Sequence, residues 1–442
     1  MEMLAKVGAA MQQLFGPVAV SLAKTSGAVV RVREFTPMSL AQTFVLGYLK
    51  CPAATPESLA VMAVECGANV SPQAVDQRRT QELVDFLKAL YHQAMETVIG
   101  STRSLATLLE RFTEVKLIDS STVTLPDSLK QEYEGCGGAY GQGQAALKLQ
   151  TELDLRSGKL SHIEIEPGKS PDAATCRLHA GHVPGSLRIS DLGYFNIPVF
   201  REIIATAAHF LSRLQFGTGV LLPDGTPLKL LEWLSKQTGP SIDCPILLGL
   251  TDRLACRLIA WRVPEEVANR RRQKLIADMK SRKGKLPSAE RLAWCSWSIL
   301  VTSVGVKLLT PTEAAVLYRA RWQIELLFKR WKSHGLLAVL HGSTDVRKMV
   351  GFWSRLLACI VQHWLLVALT WGNPRISLNK AGQAIRNYGD RIAASLHSTS
   401  DLIQVLMTLT KSIIKTAKRN KRTKPGTFEL LNNPELSDFG LS

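Results

Sequence analysis

Tyr318-Arg319-Ala320-Arg321-Trp322-Gln323-Ile324-Glu325-Leu326-Leu327-Phe328-Lys329-Arg330-Trp331-Lys332 is the stretch of this 442-residue chain from which the rest is read. It holds no Gly or Pro, is rich in good helix formers and follows a Pro311-Thr312-Glu313 entry, so one long helix is expected. At roughly 100° per residue, Tyr318, Arg321, Glu325 and Lys332 fall within about 60° of one another. Ile324, Leu327, Phe328 and Trp331 gather on an adjoining arc that seeks a core. The polar stripe has two readings. It is a solvated face with an i,i+4 Arg-Glu pair, or it is one acid, two cations and a phenol aimed at phosphate and metal.

The four polar residues match Y-x(2)-R-x(3)-E-x(6)-K, and in this the chain resembles one group of bacterial insertion-sequence transposases with an Asp-Asp-Glu catalytic triad. That resemblance demands two aspartates upstream. Val115 to Pro126 is β-branched and apolar, closed by a proline, and reads as a buried strand with Asp119 inside it. An ionised carboxylate there needs a metal or a charged partner. Ser186 to Ser190 reads as a short strand with Asp191 at its C-terminal end, where open sheets place functional residues. Asp191, Gly193 and Phe195 also match the D-x-G-x-F pattern around the second catalytic aspartate of the same transposases.

Between the two aspartates, Gly135 to Gly143 is a Gly-rich connection without the G-K-[ST] ending of a phosphate loop, so no nucleotide cofactor is assigned. Strands are expected over Ala146 to Leu155 and Leu160 to Ile165, joined by a turn at Arg156-Ser157-Gly158-Lys159, then a helix over Pro171 to Ala180. A helix from about Pro198 to Phe210 and a strand over Leu211 to Gln215 follow. This order is similar to a ribonuclease-H-like domain; periodicity by itself supports a mixed sheet with helices.

The expected fold class is therefore α/β: a ribonuclease-H-like core interrupted by a mostly β insertion, with helical N- and C-terminal regions. The segments are 1–110, helical and DNA-binding; 111–215, first part of the core; 216–302, insertion; 303–375, second part of the core; and 376–442, helical with a basic tail. In the first segment, a helix through Leu59, Met62 and Val64, a break at Gly67-Ala68-Asn69 and a polar-headed helix capped by Ser71-Pro72 outline either a helix-turn-helix DNA reader or an ordinary helical hairpin. In the insertion, Val220 to Leu228 reads as a hairpin, and Cys244 to Leu250, Cys256 to Val263 and Ser296 to Val306 as strands. Arg270 to Lys274, with Arg271, Arg272 and Lys274, and Lys280 to Lys285 form a basic arm suited to phosphate. Trp294 and Trp297 are core residues of the last strand or, as the resemblance implies for one of them, a platform for a base flipped out of the duplex.

Lys and Arg number 54 against 37 Asp and Glu, a formal charge of +17, which calls for a polyanionic partner. The eight cysteines are scattered without C-x-x-C or zinc spacing, as in a reduced cytosol. Phe352 to Trp371 is the most apolar run but carries Arg355, Gln362 and His363, so it reads as a buried helix and not a membrane span. No secretion signal is read in Met1 to Ala23.

The resemblance implies a cytoplasmic, nucleoid-associated transposase that binds double-stranded DNA at the terminal inverted repeats of its element and in the target. It implies a homodimer in a synaptic complex. Asp119, Asp191 and Glu325 would hold two Mg2+ ions, for which Mn2+ substitutes, and would cut and rejoin phosphodiesters through a hairpin intermediate. Tyr318, Arg321 and Lys332 would hold phosphates. A nuclease of the same fold, or a DNA-binding repressor without catalysis, stands as the alternative.

Overall fold

A computed structural model describes residues 2–137, 144–420 and 425–436, the side chains of residues 176, 177, 282 and 283 excepted. Residues 138–143 of the Gly-rich connection and 421–424 of the basic tail lie outside the described residues. The chain opens with helices α1 (Glu2–Gln13), α2 (Ala19–Ser26), α3 (Pro37–Lys50), α4 (Pro56–Glu65), α5 (Pro72–Gln77) and α6 (Gln81–Glu96). Strands β1 (Val115–Leu125), β2 (Ala145–Asp154), β3 (Leu160–Pro167) and β4 (Leu187–Ser190) lead to α7 (Ile197–Ala205) and β5 (His209–Arg213). Then come β6 (Val220–Leu221), α8 (Leu230–Ser235), β7 (Ile242–Leu248), β8 (Leu254–Arg262), α9 (Glu265–Lys283), α10 (Ala289–Trp294) and β9 (Trp297–Thr302). Helices α11 (Pro311–Ala320), α12 (Trp322–Ser333), α13 (Asp345–Thr370), α14 (Leu378–Asn387), α15 (Gly389–Ser395), α16 (Thr399–Thr416) and α17 (Thr427–Asn432) complete it.

These elements form two compact units, neither contiguous in sequence. The first gathers Met1–Leu105, Ser120–Ser170 and Ile324–Lys421, the second Ala106–Asp119, Pro171–Gln323 and Arg422–Ser442. Two of the boundaries fall inside elements, β1 and α12.

In the first unit α13 is buried along most of its length and packs against α3, α6, α1 and α14. Among the described residues it is the one helix long and apolar enough to cross a membrane, and its apolar surface is taken up by this core. Next to it lies the antiparallel hairpin β2-β3. His363 of α13 donates from Nε2 to the Gly158 carbonyl at 2.7 Å, and Trp371 Nε1 donates to Arg156 O at 3.1 Å. Gly158 is needed twice over there, for its φ of 76° and because a Cβ would stand 2.6 Å from the Trp371 ring. The polar-headed helix expected from Ser71 is two helices. Ser71 caps α5 as expected, accepting from Ala74 N at 3.2 Å, but Thr80 is extended, so the apolar run from Leu83 belongs to α6.

The second unit is built on a mixed sheet in the order β1-β4-β5-β9-β8-β7-β6. Strands β1, β4 and β5 run parallel, and β9, β8, β7 and β6 continue antiparallel. Phe200 of α7 stacks on Phe210 of β5, centroids 4.2 Å apart, with Phe195 edge-on to Phe200 at 5.3 Å. These rings lock α7 onto the sheet.

Four expectations change in detail. The helix from Pro198 ends at Ala205, because the backbone turns through Ala207 at φ 55° and His209–Arg213 pairs with β4. Pro171 to Ala180 is two 3₁₀ turns parted by the extended, buried Thr175. The insertion strands extend the core sheet through β9, with Leu211 opposite Thr302. Its basic stretch is not an arm of loop but most of helix α9, free of Gly and Pro from Glu265 to Lys283 and closed by Gly284 at φ 61°. Acids at its start and cations at its end complement the helix dipole.

Candidate active site

In the second unit, parallel pairing sets Ile118 opposite Ser190, so Asp119 and Asp191 are the next residues along two neighbouring strands. Four buried residues, Val115 to Ile118, precede Asp119, and Leu187 to Ser190 are likewise buried before Asp191. Gly193 follows where Asp172 crosses the turn: a Cβ there would meet the Asp172 carboxylate at 3.2 Å.

Two residues of the polar stripe, Tyr318 and Arg321, face these two acids. Arg321 Nη1 reaches Asp119 Oδ2 at 3.3 Å, and Tyr318 O–H donates to Asp191 Oδ1 at 3.5 Å, the outer limit of such a bond. The Arg321 and Asp119 side chains are 14% and 18% exposed, so their attraction is less screened than that of a surface pair. Burial, and next the Asp191 charge, push the Tyr318 phenol well above its ordinary pKa, so it remains a donor at neutral pH. The expected single helix divides here. Arg321 N bonds Tyr318 O at 3.1 Å, a tighter turn that separates α11 from α12.

Helix α11 is fixed at its start. Thr310 and Glu313 close a capping box, and Arg111 grips Glu313 with two bonds of 2.8 and 2.9 Å while donating to Leu308 O at 2.9 Å.

Beside Tyr318 and Arg321 opens a cavity of about 400 Å3 lined by Arg213, Arg271, Arg319, Trp261 and Trp322. Burial, and then the nearby Arg213, hold the Arg271 guanidinium below its usual pKa. Four arginines around one cavity repel one another, and an anion there relieves that.

The two tryptophans singled out in sequence do not open onto this cavity. Trp297 is 9% exposed with Arg262 over its ring at 5.2 Å, and Trp294 meets Phe216 edge-on at 5.3 Å. Both pack on the core of the sheet. The indole that does face the cavity with its surface available is Trp322, 54% exposed. Its signal was present in the sequence: at 100° per residue it lies roughly opposite the apolar arc of Ile324, Leu327, Phe328 and Trp331. Arg213, Trp261 and Arg319 carried no such signal.

The basic stretch is likewise sorted by the structure. Arg271 donates to Trp297 O at 3.1 Å and to Ser298 Oγ at 3.2 Å. Arg272 is turned inward onto Glu265, Asn269 and Ser296 at 2.6–2.7 Å. Lys274 is exposed.

In the first unit, α12 buries Ile324, Leu327, Phe328 and Trp331, the arc expected of it, and leaves Glu325 half-buried. Lys332 donates from Nζ to Thr122 O at 2.7 Å, and burial lowers its pKa. Among the described residues no three His, Cys, Asp or Glu side chains stand together as a ligand set. Asp119, Asp191 and Glu325 are hard oxygen donors of the kind Mg2+ takes, and the first two already face positive or hydrogen-bonding groups.

A family model described as Transposase DDE domain matches residues 110–361, a span that holds every residue of the polar stripe and both aspartates. The chain is similar to the transposase for insertion sequence element IS231B of Bacillus thuringiensis subsp. berliner, 24% identical over 95% of this chain and 93% of that one. It is similar to the transposase for IS231E of B. thuringiensis subsp. finitimus, 26% identical over 60% and 59%. It is similar also to the transposase for IS1151 of Clostridium perfringens, 24% identical over 83% of each.

Proposed function

The chain belongs to the DDE transposase family and is a DNA transposase, and from that premise we propose that Asp119, Asp191 and Glu325 are its three catalytic acids. The observation that carries this is the parallel register of β1 and β4, which makes Asp119 and Asp191 neighbours, with Tyr318 and Arg321 upon them. The DDE domain implies dependence on a divalent metal, generally Mg2+. The three acids are the groups that would hold it, as a pair of ions, and it supplies Lewis acidity at the attacking and leaving oxygens of an in-line displacement.

The chain's own residues position the DNA. Tyr318, kept protonated, donates to a phosphate oxygen; Arg321 and Lys332 take the neighbouring ones, the guanidinium by two-point contact. Trp322 offers a face on which a base drawn from the duplex stacks, while Arg213 and Arg271 neutralise the phosphate beside it. Lys274, exposed on α9, contacts the backbone farther out. The order of events is nicking by water, attack of the freed 3′-hydroxyl on the opposite strand to close a hairpin, hairpin opening, and strand transfer into target. The working form is a homodimer that pairs two terminal inverted repeats on the nucleoid in the cytoplasm.

The test is a denaturing gel of labelled duplex carrying the element's ends, with Mg2+ and a target plasmid, comparing wild type with Glu325→Ala. Nicked, hairpin and joined products from wild type alone support the reading. Cutting without joining makes the protein a nuclease of this fold. Binding without cutting by both, with Mn2+ as well, removes the catalytic assignment and leaves a repressor.

A further inference from the structure

After leaving the second unit at Gln323, the chain returns to it at Arg422. The two-turn helix α17 that follows is too short to persist alone. Phe428, Leu430 and Leu431, half of its residues, are nonetheless almost wholly buried. The helix packs against α11 and the 3₁₀ turn Thr107–Arg111. Glu429 accepts from Gly426 N at 3.3 Å, and Asn432 donates from Nδ2 to Phe428 O at 2.8 Å, fixing both ends. Thr427, its first residue, forms part of the wall of the cavity that Tyr318, Arg321 and Trp322 line.

We infer that this C-terminal segment is a positioning element of the DNA-cutting site: it holds α11, and with it Tyr318 and Arg321, against the two aspartates, and Thr427 closes one side of the cavity. The inference rests on the reading of that site given above. Its force comes from the distances. Tyr318 and Arg321 reach their aspartates at 3.5 and 3.3 Å, so a shift of α11 by one ångström breaks both contacts. The Arg111 clamp secures the start of α11 at Glu313, and α17 secures its flank. Phe428, Leu430 and Leu431 therefore act through α11 and do not touch the DNA.

The experiment compares the full chain, a chain stopped after Lys421, and the variants Phe428→Ala and Phe428→Leu. Amide hydrogen exchange over 311–320 is expected to quicken by about tenfold or more in the stopped chain and in Phe428→Ala, with β4 and β5 unchanged. The kcat for cleavage of element ends falls by about tenfold in both, with KM for DNA held within about threefold. A synthetic peptide of residues 425–436 restores the rate to the stopped chain, and Phe428→Leu behaves as wild type. If the stopped chain loses protection throughout, Phe428→Ala decides. Unaltered exchange in α11, with wild-type kcat, overturns the inference. Altered exchange with no cleavage by any protein, the full chain included, keeps the hold on α11 and overturns the reading of the site.

Discussion

Trp297 at 9% exposure and Trp322 at 54% test the site from opposite sides. Trp297→Ala removes a core ring and is expected to cost about 3–5 kcal/mol of stability, measured by denaturant unfolding. Trp322→Ala leaves stability within about 0.5 kcal/mol but slows cleavage of element ends, since only a bound base would miss it. The reverse pattern would return the stacking role to the buried residue. For Arg321→Lys the charge survives and the planar fork does not, so cleavage is expected to fall on the order of 10²-fold while DNA affinity changes little. Equal losses in affinity and rate would make Arg321 a general DNA contact instead. At this scale Asp119, Asp191, Glu325, Tyr318 and Arg321 could be nominated from the sequence, because a helical stripe and two strands mark them locally. Arg213 and Arg319 carried no such mark, and Arg271, marked only as part of a basic run, could not be placed beside Arg213 because the pairing of β5 with β9 is what brings such distant segments together.

Among elements, α11 shows how much a local signal settles. Its Pro311-Thr312-Glu313 entry was read directly, while the cap itself is Thr310, one residue earlier, and Thr310→Ala is expected to destabilise by about 1 kcal/mol while raising the protease sensitivity of the segment before Pro311. Helix α9 was legible in its charge but not in its shape. A run of Arg and Lys with no apolar stripe has no period to betray a helix, and the absence of Gly and Pro was the one available cue. The junction of α13 with the β2-β3 turn carries a pH signature. His363 is buried, its pKa lowered to about 4 chiefly by burial, with Nε2 donating to Gly158 and Nδ1 unpaired among the described residues. Protonation would bury a second N–H without an acceptor. Because the folded pKa lies below the ordinary 6.5, this stability is present above pH 6.5 and is lost as pH falls toward 4, about 3 kcal/mol in all. Denaturant midpoints at pH 7 and pH 5 should therefore differ more for wild type than for His363→Leu, and parallel slopes would remove His363 as the cause.

For the molecule as a whole, the charge of +17 was legible from composition and the polyanion from the charge. If six to ten phosphates are contacted, affinity for element ends falls by about 10³–10⁵ between 50 and 200 mM salt, and Lys274→Ala lowers the slope of log K against log salt by about one. An unchanged slope would take Lys274 off the DNA. What composition could not carry is the partition into two units, because contacts between residues hundreds of positions apart leave no periodic trace. Unit boundaries fall within β1 and α12, the elements that carry Asp119 and Glu325, while β4 and Asp191 lie wholly in the second unit. The ribosome therefore meets a chain that it cannot finish folding piecemeal. At 5–20 residues per second, the first unit waits for α16 and the second for α17, about 20 to 90 seconds after synthesis begins. A nascent chain whose α17 is still in the exit tunnel lacks the Thr427 wall of the cavity that Tyr318, Arg321 and Trp322 line.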